Sequence, residues 1–239
     1  MKTPFSYSGT ELDALAEAEN YYRWILSYFA PHVGSKAVEV GAGIGTFAQF
    51  LLDFTKVSEL IAMEPADNLF SVLERRFANE RRVKTVKGYL EDFAGSLAVD
   101  SLVAVNVIEH IADDAEFLRL ACRVLSPEGT ILVFTPAVPA IQGTLDRSFE
   151  HRRRYTKTGL AEKLRQAGLR MVCLRYLNLP GVVAWFLAGN VLRRKTIQSS
   201  DVRFYDRWIV PCESWLERRW EPPLGQSLLA VARKSGAPA

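Results

Sequence analysis

Between residues 11 and 30, Leu12, Leu15, Ala18, Tyr22, Ile25, Leu26 and Phe29 recur at steps of three and four, which predicts an amphipathic helix ending before Pro31. The pattern then changes. Short, largely apolar runs at 37–40, 60–63, 82–86, 101–105 and 130–134 each close on a turn, and helical spacing follows the first, second, fourth and fifth. That alternation predicts a parallel sheet with helices on both faces. The third connection is the least defined by pattern. The clearest helix is 113–125, where Ala115, Leu118, Ala121, Cys122 and Leu125 share a face before Ser126-Pro127-Glu128-Gly129 breaks it. Another, 158–167, stops at Gly168. Runs at 169–176 and 227–233 read as two more strands, with about fifty residues between them that leave the alternation, a length typical of a lid or binding element. The expected architecture is α/β: a doubly wound, mostly parallel, seven-stranded sheet with an N-terminal helical segment (1–35), a core built from 36–178 and 226–235, and an inserted lid or acceptor-binding element (179–225).

Composition narrows the class without deciding it. With 239 residues and 49% hydrophobic positions the chain can bury one large core but is short for two full domains. Thirty Lys and Arg against 27 Asp and Glu leave a formal charge of +3, too little by itself for nucleic-acid binding, which needs clustered positive charge. Cys122, Cys173 and Cys212 stand far apart with no spacing that suits zinc, so reduced thiols and no metal site are expected. The first seven residues lack the apolar run of a secretory signal, and a cytoplasmic location is the default reading. The apolar stretch 180–192 is shorter than the ~20 residues that cross a bilayer; it can touch a membrane but not span one. There is no internal repeat, and the only low-complexity stretch is the short tail 235–239.

The first strand runs into Gly41-Ala42-Gly43-Ile44-Gly45-Thr46 and then a helical stretch with Phe47, Phe50 and Leu51 on one side. Glycines allow a tight turn close to a ligand, and the helix N-terminus offers free N–H groups to it. The spacing is GxGxG, not the GxGxxG of dinucleotide binders, so the loop alone indicates only a nucleotide-like ligand. Glu64, at the end of the second strand, can accept hydrogen bonds from both hydroxyls of a ribose, which suits S-adenosylmethionine and NAD equally. Further motifs separate the two. Residues Val38 to Thr46, then Ile61-Ala62-Met63-Glu64-Pro65, Gly88-Tyr89-Leu90-Glu91-Asp92-Phe93, Asn106-Val107-Ile108-Glu109-His110 and the Pro127-Glu128-Gly129 turn resemble, in order, the motifs of class I S-adenosylmethionine-dependent methyltransferases of the small-molecule type. The resemblance covers about residues 36–136 and implies a Rossmann-like fold with S-adenosylmethionine as cofactor. It implies that Glu39 and Gly41, Ala42, Gly43 and Gly45 surround the amino-acid and ribose parts of the donor, with Glu64 and Pro65 at the ribose. Tyr89, Leu90 and Glu91 would flank the adenine, Asp92 being an alternative partner for its amino group. Val105 and Asn106 would lie beside the sulfonium. Tyr89 replaces the usual small acidic residue beside the adenine. Within Asn20-Tyr21-Tyr22-Arg23-Trp24, Tyr21 is a further candidate, on a helix that either closes over the donor's carboxylate or packs into the core.

Methyl transfer needs an acceptor positioned in line with the methyl group, and needs a base only if the acceptor loses a proton. His32 reads as a surface residue. His110, after the fourth strand, and His151, on the path after the fifth, are the candidate base or acceptor contacts, each with a structural role as the alternative. His151-Arg152-Arg153-Arg154-Tyr155-Thr156 resembles an H-x-R-R-Y-[ST] stretch of some small-molecule methyltransferases. Its arginines either grip an acidic acceptor or pair with Glu150 and Asp146. The apolar run 179–187, with Trp208, Trp215 and Trp220, fits a lid over an apolar or ring-bearing acceptor, or else a homodimer contact. The leading expectation is methyl transfer to a small molecule, oxygen favoured over nitrogen or carbon. An RNA methyltransferase and an S-adenosylmethionine-binding protein without transferase activity are the alternatives. Asn106-Val107-Ile108-Glu109 is unlike the Asn/Asp-Pro-Pro-aromatic motif of enzymes that methylate base amino groups.

Overall fold

The computed structural model describes residues 5–7, 9, 11–93, 95 and 97–235; residues 1–4 of the amino-terminal stretch and 236–239 of the short tail lie outside the described residues. The chain opens with α1 (Glu11–Leu15) and α2 (Glu19–Phe29), where the apolar spacing predicted one helix. The break has a physical cause. Asp206, from the insertion, accepts hydrogen bonds from the backbone N–H of Asn20 (3.1 Å) and Tyr21 (2.8 Å) and from the Asn20 side chain (3.1 Å), so a distant carboxylate caps α2, which has no side-chain cap of its own. Tight turns, Glu17 N–H to Ala14 and Ala18 N–H to Leu15, fill the gap.

The alternating part follows as β1 (Lys36–Val40), α3 (Thr46–Phe54), β2 (Glu59–Glu64), α4 (Asp67–Arg76), β3 (Val83–Lys87), β4 (Val99–Val105), α5 (Asp114–Val124) and β5 (Leu125–Pro136). Among the described residues a short 3-10 turn, Leu90–Asp92, lies between β3 and β4, the connection the pattern left least defined. After β5 come α6 (Thr144–Ser148), α7 (Lys157–Gln166), β6 (Leu169–Leu177), the insertion helices α8 (Leu179–Phe186), α9 (Ser199–Phe204) and α10 (Val210–Glu217), and finally β7 (Ser227–Lys234). π-helical turns at Leu187–Val191 and Tyr205–Ile209 extend α8 and join α9 to α10. The seven strands stand in the order β3-β2-β1-β4-β5-β7-β6, all parallel except β7, which runs antiparallel to both neighbours. This is the expected doubly wound, mostly parallel sheet.

Side chains alternate between two cores. Val38, Leu102, Ile131 and Ala230 pack on the face covered by α5 and α7, whereas Ala37, Val103, Leu132 and Val231 pack on the face covered by α2 and α3. Both faces are buried, which is why the strands read as nearly continuous apolar runs. Each fully buried Leu or Val is worth ~1.5–3 kcal/mol in transfer from water, so the central strands anchor the sheet. Glu39 points to the α2/α3 face, between Ala62 and Val103 in register, and is the exception on which the site is built.

The insertion is tied back by polar links. Glu217 accepts from the backbone N–H groups of Asn178 (3.1 Å) and Leu179 (3.0 Å), where the chain leaves β6. Among the described residues no helix is long and apolar enough to cross a membrane. Because Asp206 supplies the cap of α2, Asp206→Ala is expected to cost about 2–3 kcal/mol and to lower the melting temperature by roughly 5–10 °C. Hydrogen exchange at 19–22 and 199–210 should accelerate together; unchanged protection at 19–22 would refute the cap.

Candidate active site

One cavity of about 1340 Å³ opens at the carboxyl ends of β1, β2 and β4 and continues between α6, α8 and α9. Ligands of open α/β sheets bind at this edge. Its two halves are built from different parts of the chain.

In the first half, β1 ends at Val40 and the backbone turns at Gly41 with φ +68°, followed by Gly43 at +57° and Gly45 at +83°. These are conformations that favour glycine. Gly41 is also closely packed, since a Cβ there would lie 2.7 Å from Val107 Cγ2. The loop is tied to β2 by Ala42 N–H donating to the Met63 carbonyl (2.9 Å) and Gly43 N–H to Glu64 Oε2 (2.9 Å), while the other Glu64 oxygen accepts from Ala66 (2.8 Å). Gly41, Ala42 and Gly43 line the cavity together with Glu39, Glu64 and Pro65. Gly45 does not line it: its Cα faces α4, where a Cβ would meet Phe77 at 2.6 Å, so its role is packing. No side chain caps α3, and the Thr46 hydroxyl at its start, which lines the cavity, has no hydrogen-bond partner.

Glu39 is 2% exposed and its Oε2 has no partner. Burial, and then the charge of Glu64, push its carboxyl up to about 8 against the pull of Arg76. Glu64 is raised by burial too, although the N–H groups of Ala66 and Gly43 hold it down. An orphaned buried carboxylate oxygen costs about 1–3 kcal/mol and is well placed to meet a cationic group with N–H or O–H donors.

Tyr89, Leu90 and Glu91 line the same half, as do Val105 and Asn106 at the tip of β4, where Asn106 has φ +52°. Asp92 does not line it; its Oδ2 accepts from Tyr89 N–H (3.1 Å) and closes the 3-10 turn. Of the two carboxylates left open by the sequence, Glu91 is the one at the cavity. Tyr21 and Tyr22 reach the cavity from α2. Burial pushes the Tyr21 hydroxyl up to about 12; it accepts from the Asn178 side chain (3.3 Å). Arg23 does not join them: it pairs with Glu19 (2.6 Å) and lies 4.3 Å over the Phe54 ring on the outer face, and Trp24 is in the core.

The second half begins where the chain leaves β5. Val138 takes φ +57°, costly for a β-branched residue, and is held there by hydrogen bonding to Tyr155 (3.1 Å). The chain then makes α6, which carries Asp146, and turns back to His151. Asp146 is fully buried and collects four donors. His151 Nδ1 (3.0 Å) and Arg154 Nε (2.7 Å) meet Oδ1; Trp185 Nε1 (3.0 Å) and Gly143 N–H (2.9 Å) meet Oδ2. Burial alone would raise this carboxyl, but the His151 hydrogen bond, the Arg154 charge and the other donors outweigh it and hold it at about 2. As a carboxylate it accepts from His151 Nδ1–H and fixes the orientation of the ring.

His151 lines the cavity, its ring parallel to the Trp185 indole (7° apart) and edge-on to His110, 5.0 Å away. Burial, and then the neighbouring His151, bring His110 down to about 4, so it is neutral. Glu109 and His110 form a turn before α5, not its first turn. Burial pushes Glu109 up to about 7 despite the charges of His151 and Arg154 and a hydrogen bond from Thr135 (3.0 Å), and its Oε1 has no partner. One ligand atom each from Glu109, His110 and His151 lie within 4.8 Å of one another, a grouping the sequence reading did not assemble. His32 is half-buried, and its carbonyl accepts from Ser101 and Thr130.

Arg152 to Arg154 are turned largely to internal partners. Arg152 donates to the His110 carbonyl (2.9 Å) while still lining the cavity, Arg153 pairs with Asp114 (3.0 Å), and Arg154 is buried against Asp146. Asp146 and Trp185 were not predicted as site residues. No motif marks either one: Asp146 lies in a five-residue helix and Trp185 in an apolar run that reads as a lid.

Residues 38–133 match the family described as "Methyltransferase domain". A curated relative, the human mitochondrial ubiquinone biosynthesis O-methyltransferase, is 30% identical over 113 residues, 44% of this chain, and the match spans only 30% of that protein's length. Among solved structures, one described as a methyltransferase in complex with the activator Trm112, from Haloferax volcanii, is 16% identical with a TM-score of 0.62, covering 94% of this chain and 92% of that one. Another, described as a sarcosine dimethylglycine methyltransferase from Galdieria sulphuraria, also has 16% identity and a TM-score of 0.62, with 91% and 86% covered. At such identities the likeness is one of fold. The glycine loop, the acid ending β2 and the strand order agree with the match of residues 38–133 to a methyltransferase domain.

Proposed function

We propose that the protein moves a methyl group from S-adenosylmethionine to an oxygen of a small-molecule acceptor, with His151 as general base oriented by Asp146. The carrying observation is that His151, held by the buried Asp146, lines the same continuous cavity as the glycine loop. Bound at the loop, S-adenosylmethionine supplies a methyl group made electrophilic by its sulfonium. The chain's own groups do the rest. Glu39 and the Thr46 hydroxyl, both without partners, fit the polar amino-acid part of the donor, Glu64 the ribose, and Tyr89, Leu90 and Glu91 the adenine. Val105 and Asn106 stand where the reacting end would lie. On the other side Trp185 and Phe149 offer apolar walls to an acceptor, and His151 Nε2 is the group able to take a hydroxyl proton. The curated relative, an O-methyltransferase by name, supports oxygen as the target. The internal pairing of Arg153 and Arg154 leaves the RNA alternative with less support than the sequence lent it.

The test is a labelled-methyl transfer screen over phenols, other hydroxyl compounds, amines and RNA, with Glu64→Ala as the donor-site control. Labelled product among hydroxyl compounds supports the reading; donor binding with no product in any pool would leave a binding protein. With a hydroxyl acceptor in hand, His151→Gln should lower kcat by about 10²–10⁴-fold while leaving the donor Kd within about twofold. Asp146→Asn should keep the buried shape, lower kcat by a similar order and move the acidic limb of the pH–rate profile. Activity lost to a chelator and restored by a divalent cation would instead assign Glu109, His110 and His151 to a metal and overturn the base.

Glu39 generates a separate expectation. Its folded-state pKa is raised, so the stability linked to this group is full below the ordinary carboxyl range and is lost as pH climbs to about 8. A cationic donor draws the carboxylate form, so binding releases a proton. Donor affinity should therefore rise between pH 6 and 7.5 by up to about tenfold per unit. Glu39→Gln should flatten that rise, weaken binding, and raise the melting temperature of the free protein at pH 8. Calorimetry in buffers of different ionisation enthalpy reads the proton directly, and equal proton release in the variant would refute the assignment.

A further inference from the structure

The helices of the insertion are amphipathic in an unusual sense: apolar on the outside as well as the inside. On α8 and its π-helical extension, Gly181, Ala184, Trp185 and Ala188 line the cavity, while Val183, Phe186, Leu187 and Val191 form the opposite, exposed stripe. The α9–α10 segment repeats this. Val202, Asp206, Val210, Glu213 and Glu217 are buried, whereas Phe204, Trp208 and Trp215 stand out at helical spacing, 62%, 59% and 60% exposed, with Trp220 beyond the helix at 48%. A soluble helix normally turns polar residues to that side.

The exposed charge on the same segment is predominantly positive. Between 179 and 225 there are seven basic residues, Arg193, Arg194, Lys195, Arg203, Arg207, Arg218 and Arg219, all exposed. Of the five acids in that span, Asp206, Glu213 and Glu217 are buried, leaving Asp201 and Glu221 at the surface. The guanidinium of Arg219 lies 4.2 Å over the Trp215 ring and that of Arg207 5.5 Å over Trp208. A separate groove of about 670 Å³ between α2 and α10 sets Arg23, Arg218 and Arg219 beside Trp215. Arg and Trp together at a surface suit lipid phosphates and the boundary between headgroups and acyl chains.

We propose that this outer face of the insertion docks the protein on an anionic phospholipid surface, with Trp208, Trp215 and Trp220 at the headgroup boundary and Arg218 and Arg219 on lipid phosphates. Charge decides against a second copy of the chain. Arg194 and Arg203 pair with Asp201 and Glu17, but a two-fold contact through this face still sets Arg207, Arg218 and Arg219 against their own copies, whereas an anionic bilayer complements them. The apolar stripes decide against RNA, which gives Val183, Leu187 and Phe204 nothing to pack on. Docking in this way puts the helices that wall the cavity at the lipid boundary, where an acceptor with an apolar tail would partition. The inference does not rest on the methyl-transfer reading, because its readout is lipid binding.

The whole chain is mixed with vesicles of phosphatidylcholine alone and with vesicles that also contain phosphatidylglycerol, and binding is followed by co-sedimentation and by quenching of tryptophan emission with brominated acyl chains. Expected are partition onto the anionic vesicles, quenching on binding, weakening by salt, and little partition onto phosphatidylcholine. At about 1 kcal/mol per basic residue near the surface, Arg218→Gln with Arg219→Gln should weaken partition about 25-fold. Trp208→Ser with Trp215→Ser should remove most of the quenching, with melting temperature and donor Kd preserved as evidence of folding. Failure to bind either vesicle, or equal binding to both, overturns the proposal. So does a concentration-dependent dimer that the tryptophan variant dissolves, which would assign the face to a second copy.

Discussion

A fully buried carboxylate with four donors around it fixes one half of the cavity. Asp146 sits on a helix of five residues that could not hold a site by itself, yet its oxygens gather His151 and Arg154 from the returning loop, Trp185 from the insertion and a backbone N–H from the turn before it. Each donor reaches a charged acceptor out of water, and such bonds are about twice as strong as neutral ones. Removing one partner from a buried Arg–carboxylate pair costs ~3–5 kcal/mol, so these segments cannot drift independently. The orientation of His151 and the position of the Trp185 wall therefore have the same cause.

The two halves of the cavity differ in how their acids are satisfied. Asp146 has every lone pair it needs and is held at about 2; Glu39 has an oxygen with no partner and is pushed up to about 8. The first is finished in the free protein, a rigid support for the His151 ring. The second is left incomplete in a way that a cationic ligand with hydrogen-bond donors would relieve. Glu109, raised to about 7 beside a neutral His110, lies between these extremes.

The sheet and the glycine loop were legible because local rules produce them. Strands buried on both faces show as apolar runs, and Gly41 and Gly43 mark positive φ next to a ligand edge. The same rules misread Gly45, whose left-handed φ serves packing against Phe77, and the 11–30 helix, whose apolar spacing is continuous although Asp206 breaks it from 186 residues away. Asp92 looked equivalent to Glu91 until the 3-10 turn took its carboxylate. The acceptor half was the least readable. His151 stood out as a histidine near arginines, but what gives it a role is Asp146 and Trp185, brought together by tertiary packing without a shared motif.

The insertion is held in a different way from the repeating scheme. The βα units bury most of their apolar side chains on the two sheet faces. Residues 179–225 are held instead by polar ties, Asp206 to α2 and Glu217 to the end of β6, so their apolar side chains are not all needed for the core. One stripe walls the cavity and the other remains exposed. A segment fastened by hydrogen bonds at its edges can change its apolar composition with little effect on the sheet.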